Sequence, residues 1–189
     1  MDHQRMDNAP RDRHPRRGAR GFTLIELIIA VVVLGVALAV AVPSFANLLR
    51  SQRLTGTAND LAGALARARS EAIATGAPVR LCPSNNPAAN APCTGGTSYT
   101  AGWVVAVDAD RDGAIDVSTA DRLVRAWQGP DYPVAGFQGP ADVIYDDQGL
   151  KVANGTDNFD LRADGCAAAW QRRVRVNPVG NFDTRTQSC

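Results

Sequence analysis

Arg20-Gly-Phe-Thr-Leu-Ile-Glu26 opens the stretch that decides the fold, and the apolar run Phe22–Val42 (FTLIELIIAVVVLGVALAVAV) continues from it. At about 1.5 Å per residue, these 21 residues make a helix of about 31 Å, close to the hydrocarbon thickness of a bilayer. One acid, Glu26, interrupts the run. A carboxylate within a membrane costs about 2.5–3.5 kcal/mol when central and less near the edge, so it calls for a partner. The competing reading is a cleaved secretory signal, with Ala39-Val40-Ala41 imitating a small-x-small site. Against it, the run exceeds the ~7–15 apolar residues of a signal peptide.

Outward from that run, charge and composition are lopsided. Residues 1–21 carry six arginines against Asp2, Asp7 and Asp12, a local +3 in a chain whose net charge is +1, so the remainder is about −2. A positive flank before an apolar span stays in the cytoplasm and sends the C-terminal part outward. His3 and His14, the only histidines, lie in this leader. A chain that loses the leader has no histidine, which excludes most hydrolytic and zinc chemistry. Cys82, Cys93, Cys166 and Cys189 all follow the apolar run, and an even set outside the cytoplasm points to disulfides. Three pairings exist. Cys82–Cys93 with Cys166–Cys189 is favoured because each closes a local loop; free or metal-binding thiols are the alternative.

Beyond the run, Pro43 removes one helical hydrogen bond and predicts a kink or local unwinding. Leu54, Ala58, Leu61, Leu65, Ala68 and Ala72 then recur at alternating steps of four and three, one apolar stripe with Arg53, Asp60, Arg67, Arg69 and Glu71 on other faces. The helix is expected to reach Thr75 and to end at Gly76 and Pro78. Residues 77–189 read as short strands: Val79–Cys82, Trp103–Asp108, Arg122–Trp127, Val143–Tyr145, Asn158–Arg162 and Arg172–Asn177. Between them lie stretches rich in breakers, including Pro83–Gly96 and Gly129–Pro140. The expected organisation is a cytoplasmic leader (1–21), a membrane half-helix (22–43), an amphipathic half-helix (44–76) and a β-rich head (77–189). The fold class is α+β.

The basic leader ending in glycine, the Phe-Thr-Leu-Ile-Glu string and the uncharged helix resemble the type IV pilins and pseudopilins. Within them, Ala68–Gly76, Val79-Arg-Leu-Cys82, Gly102–Asp108 and Arg172–Gly180 are similar to the group holding pseudopilin H of type II secretion and the FimT/FimU minor pilins. The resemblance implies a long N-terminal helix packed on antiparallel sheets and a subunit without catalytic activity. It also implies a peptidase cut between Gly21 and Phe22, methylation of the new amino terminus at Phe22, and pairing of Glu26 with a terminal amine in a growing filament. The implied partners are a prepilin peptidase, other pilins or pseudopilins and the inner membrane, with the head in the periplasm until the subunit joins a pilus or pseudopilus. The implied place in the filament is an assembly-priming or tip complex.

Two further stretches carry candidate chemistry. Asp108-Ala-Asp110-Arg-Asp112-Gly113-Ala-Ile-Asp116 matches the first nine positions of a calcium loop, with oxygen ligands expected from Asp108, Asp110, Asp112 and Asp116. The twelfth position, where a bidentate glutamate belongs, is Thr119, and Asp121 substitutes only if the loop bends differently, so weak Ca2+ binding or a plain acidic hairpin turn is expected. No other cofactor is indicated. Residues 162–189 hold five arginines against Asp164 and Asp183; strand alternation puts Arg173 and Arg175 on the open face, where they could grip DNA phosphates. FimT-type proteins that capture DNA during transformation use a Gly-Arg-x-Arg element near the C-terminus. Here that place reads Gly180-Asn181-Phe182-Asp183, so DNA binding stands as the alternative reading and filament assembly as the principal one.

Overall fold

A computed structural model describes residues 22–89, 93–115, 121–165 and 171–188, with Pro43 described by its backbone alone. Gly21, Asp116, Thr119, Cys166 and Cys189 lie outside these residues, so the leader, part of the acidic loop and the second expected disulfide do too. Met1–Pro43 and Ser44–Cys189 form two compact units. Helix α1 (Leu24–Thr75) runs without interruption through Pro43, where the sequence predicts a kink or local unwinding; the helix does not unwind there.

In the first unit the side chains from Phe22 to Val42 are exposed, and an 18-residue window of mean hydropathy 3.0 has none of its residues buried. Water does not tolerate a continuous apolar surface of that size, and the helix is long and apolar enough to cross a membrane.

The second unit starts from the amphipathic part of α1. Leu54, Ala58, Leu61, Leu65, Ala68 and Ala72 are each no more than 1% exposed. Burial of each leucine contributes about 1.5–3 kcal/mol. Gly76, at φ 64°, ends the helix by bonding its N–H to the Ala72 carbonyl at 3.0 Å in a left-handed conformation that a residue without Cβ adopts freely.

Eight strands follow among the described residues: β1 (Val79–Pro83), β2 (Gly102–Val107), β3 (Arg122–Gln128), β4 (Val134–Gln138), β5 (Val143–Tyr145), β6 (Asp157–Ala163), β7 (Gln171–Val176) and β8 (Phe182–Gln187). They form two antiparallel sheets, ordered β3-β2-β1-β5 and β4-β6-β7-β8. The α+β expectation therefore holds, with the head divided into two sheets. β4 and β8 correct the sequence reading, which has no strand at either place. Both are edges of the second sheet. β4 carries Gly136 and a register shift, and β8 is a polar run, Phe-Asp-Thr-Arg-Thr-Gln, so neither shows the apolar alternation of a half-buried strand.

One core joins helix and sheets. Leu61 and Leu65 meet Val79, Leu81 and Val105 of the first sheet and Phe159, Leu161 and Val174 of the second in a single buried cluster. Tyr99, between β1 and β2, bridges the sheets: its N–H bonds the Phe137 carbonyl of the second sheet at 2.8 Å, its ring meets Phe159 there edge-on at 5.1 Å, and it lies 6.5 Å from the Trp103 ring of the first. Cys82 and Cys93 are bonded, closing the loop that leaves β1.

Candidate functional site

At the start of α1, Thr23 occupies the cap position. Its Oγ1 accepts the Glu26 N–H at 3.2 Å and its carbonyl accepts the Leu27 N–H at 3.2 Å. Thr23-Leu-Ile-Glu26 thus has the spacing of a capping box, Ser/Thr-x-x-Glu, and Glu26 stands in the first turn, where helix dipoles favour a negative charge. The same acid therefore has a local role as well as the intersubunit role that the resemblance implies. Phe22 precedes the cap and is 84% exposed.

The aspartate loop leaves β2 and is pinned by two arginines. Arg111, itself at φ 61°, donates to the Gly76 carbonyl at 2.7 Å, so the loop caps the end of α1. Arg80 of β1 donates to the Gly113 carbonyl and pairs with Asp142. Within the loop, Asp108 Oδ2 accepts the Gly113 N–H at 3.1 Å, Asp110 Oδ1 the Asp112 N–H at 3.3 Å, and Asp112 Oδ1 the Ala114 N–H at 2.7 Å. Burial pushes the Asp108 carboxyl above its ordinary range; the Gly113 and Arg111 amides pull it back, and the charges of Asp121 and Asp112 push it further up.

The convergent acids differ from the linear motif. One carboxylate oxygen each of Asp108, Asp110 and Asp121 lie within 4.8 Å of one another. Asp112 is not in that group, since its carboxylate turns to the Ala114 amide. Asp121, whose Oδ1 accepts the Ala109 N–H at 3.0 Å, is brought in because β3 begins beside the end of β2. It lies two positions beyond the twelfth place of the linear motif, and the hairpin pairing supplies the bend that brings it in.

The open-face arginines of β7 are paired with acids on its neighbours. Arg173 faces Asp160 directly across β7 and β6 and binds it with two bonds, Nε–Oδ1 at 2.6 Å and Nη2–Oδ2 at 3.0 Å. Arg175 pairs with Asp183 at 3.4 Å, and Arg185 shares that same acid. The turn at Gly180-Asn181 is also occupied: Gly180 O accepts the Tyr145 hydroxyl at 3.1 Å, and Asn181 Oδ1 accepts Arg69 at 2.6 Å. On the core side, Arg172 is buried and reaches α1, donating to Ser51 Oγ at 2.9 Å and Thr55 Oγ1 at 3.2 Å. The alternation that points Val174 and Val176 inward gives Arg172 the same direction, and that was the signal for this contact.

Comparison with known proteins agrees with this architecture. Residues 57–180 match the family model described as type II transport protein GspH, and residues 16–42 match the prokaryotic N-terminal methylation motif. Among solved structures, the type IV minor pilin FimU of Pseudomonas aeruginosa is similar in two crystal forms. One, in space group P21, has a TM-score of 0.53 and 13% identity over 71% of this chain and 89% of FimU. The other, in P65, has a TM-score of 0.51 and 14% identity over 70% and 92%. No curated protein sequence matches the chain. At that level of identity the likeness to FimU establishes the fold, a long N-terminal helix followed by antiparallel sheets.

Proposed function

The chain belongs to the type II transport protein GspH family, and from that premise we propose that it is a minor pilin or pseudopilin that joins the assembly-priming or tip complex of a type IV pilus or type II secretion filament. The family and fold are those of structural pilins rather than enzymes, and the methylation motif implies processing by a peptidase and assembly with other pilins. The observation that carries the finer reading is the exposed apolar half of α1, preceded by a basic leader and containing one acid.

In this reading the subunit is inserted once in the inner membrane with its head in the periplasm. A peptidase removes residues 1–21 by cutting between Gly21 and Phe22, and the amino group of Phe22 is methylated. Extraction into a filament exchanges lipid for neighbouring helices along Leu24–Val42, and Glu26 then meets the amino terminus of an adjacent subunit. Pairing there gives the acid a countercharge in place of an unpartnered position in an apolar surrounding.

Intact mass and N-terminal sequencing of the protein from its host test this. A start at Phe22 with one added methyl group is expected, and Gly21→Val is expected to leave the leader attached. A mature start just after Ala41 would show an ordinary secretory signal and end the reading. Glu26→Ala is expected to remain in the membrane fraction while disappearing from sheared filaments.

A further inference from the structure

We infer that Asp108, Asp110 and Asp121 form a binding site for a hard divalent cation of the calcium class, seated between the end of β2 and the start of β3. Two independent observations converge on it. The first is the approach of three carboxylates, one oxygen of each within 4.8 Å of the others, where like charges repel unless a cation lies among them. The second is Asp108 itself. It is only 5% exposed, and while its Oδ2 takes the Gly113 N–H, its buried Oδ1 has no hydrogen-bond partner. A buried carboxylate oxygen without a donor is costly, and a metal ion supplies what the amides of the loop do not.

The two arginines that pin the loop do not serve as that countercharge for Asp108. Arg111 is turned to the Gly76 carbonyl, and Arg80 to the Gly113 carbonyl and Asp142. All the ligand atoms are oxygens, which selects a hard cation over zinc or copper. Asp110 is exposed, so the open side is left for waters. An irregular set of this kind suits calcium, which accepts variable coordination, better than magnesium, which demands a near-ideal octahedron. Bound there, the ion would fasten the β2–β3 connection beside the end of α1.

The test uses the full chain in detergent micelles, with calcium chloride as the probe. Equilibrium dialysis with radioactive calcium is expected to give one site with a dissociation constant of about 10⁻⁴–10⁻³ M, as in extracellular calcium modules. Thermal melts should rise in millimolar calcium relative to chelator. Asp110→Asn, at an exposed position, and Asp121→Asn should each weaken binding by roughly tenfold or more, while Asp112→Asn leaves it within about twofold. The proposal is overturned if melting is identical in calcium and chelator with no calcium retained. It is equally overturned if Asp110→Asn and Asp121→Asn bind like the parent, or if magnesium acts as strongly as calcium, which marks diffuse screening.

Discussion

Arg173 lies on the open face of β7, yet its meaning is set by the residue opposite. Asp160 binds it bidentately, and the pair converts a would-be phosphate contact into a cross-strand clamp. Burial pushes the Asp160 carboxyl up, but the bonds from Arg173 and Gln171 and the charge of Arg162 outweigh it and hold the group below its ordinary range. A depressed folded value means that the contribution is complete above the ordinary aspartate value of about 3.9 and is lost as pH falls through the folded one. Thermal melts taken from neutral into acid should therefore fall away below about pH 4. Asp160→Asn should melt lower at neutral pH and show less of that acid loss. The sequence placed Arg173 and Arg175 correctly on their face, because alternation fixes direction, but register, which no single strand reveals, supplied Asp160 and Asp183 as partners. Gly180 is a second residue whose role needed the fold. At φ 81° its Cβ would stand 2.7 Å from Tyr145 Cε1. Gly180→Ala should cost about 1–3 kcal/mol, measured by urea unfolding, through strain and overpacking together.

Among the elements, the amphipathic half of α1 was the most legible. Its stripe obeys a helical period over five turns, and each of its six residues is buried. Leu61→Ala should destabilise the chain by about 2–5 kcal/mol, read as a lowered urea midpoint with an unchanged slope. The central strands were legible for the same reason, since β2 (Gly102–Val107) is buried throughout and reads as an apolar run. The edge strands β4 and β8 were not. An edge needs one neighbour's backbone bonds and little apolar surface, so hydrophobicity leaves no trace of it. The Cys82–Cys93 bond closes a loop with a sequence separation of 11. Its reduction should cost about 3 kcal/mol on the chain-entropy account, seen as a lower melting temperature in dithiothreitol.

At the scale of the whole molecule, the N-terminal string specified the class, and residues 16–42 match the N-terminal methylation motif. The aspartate loop was only half legible: spacing found Asp108 and Asp110 but admitted Asp121 only through a different bend of the loop, which the β2–β3 pairing supplies. The bonds between α1 and the head have a consequence of another kind. Arg172 reaches Ser51 and Thr55, Tyr132 meets Thr57, Asn181 holds Arg69, Arg122 holds Glu71, and Arg111 grips the Gly76 carbonyl. These fastenings are spread over about seven helical turns and come from both sheets. A tug along the axis of that rod meets them side by side, in shear, and must strain them all at once. A sideways tug would unzip them singly. Load along α1 would be shared by all of them.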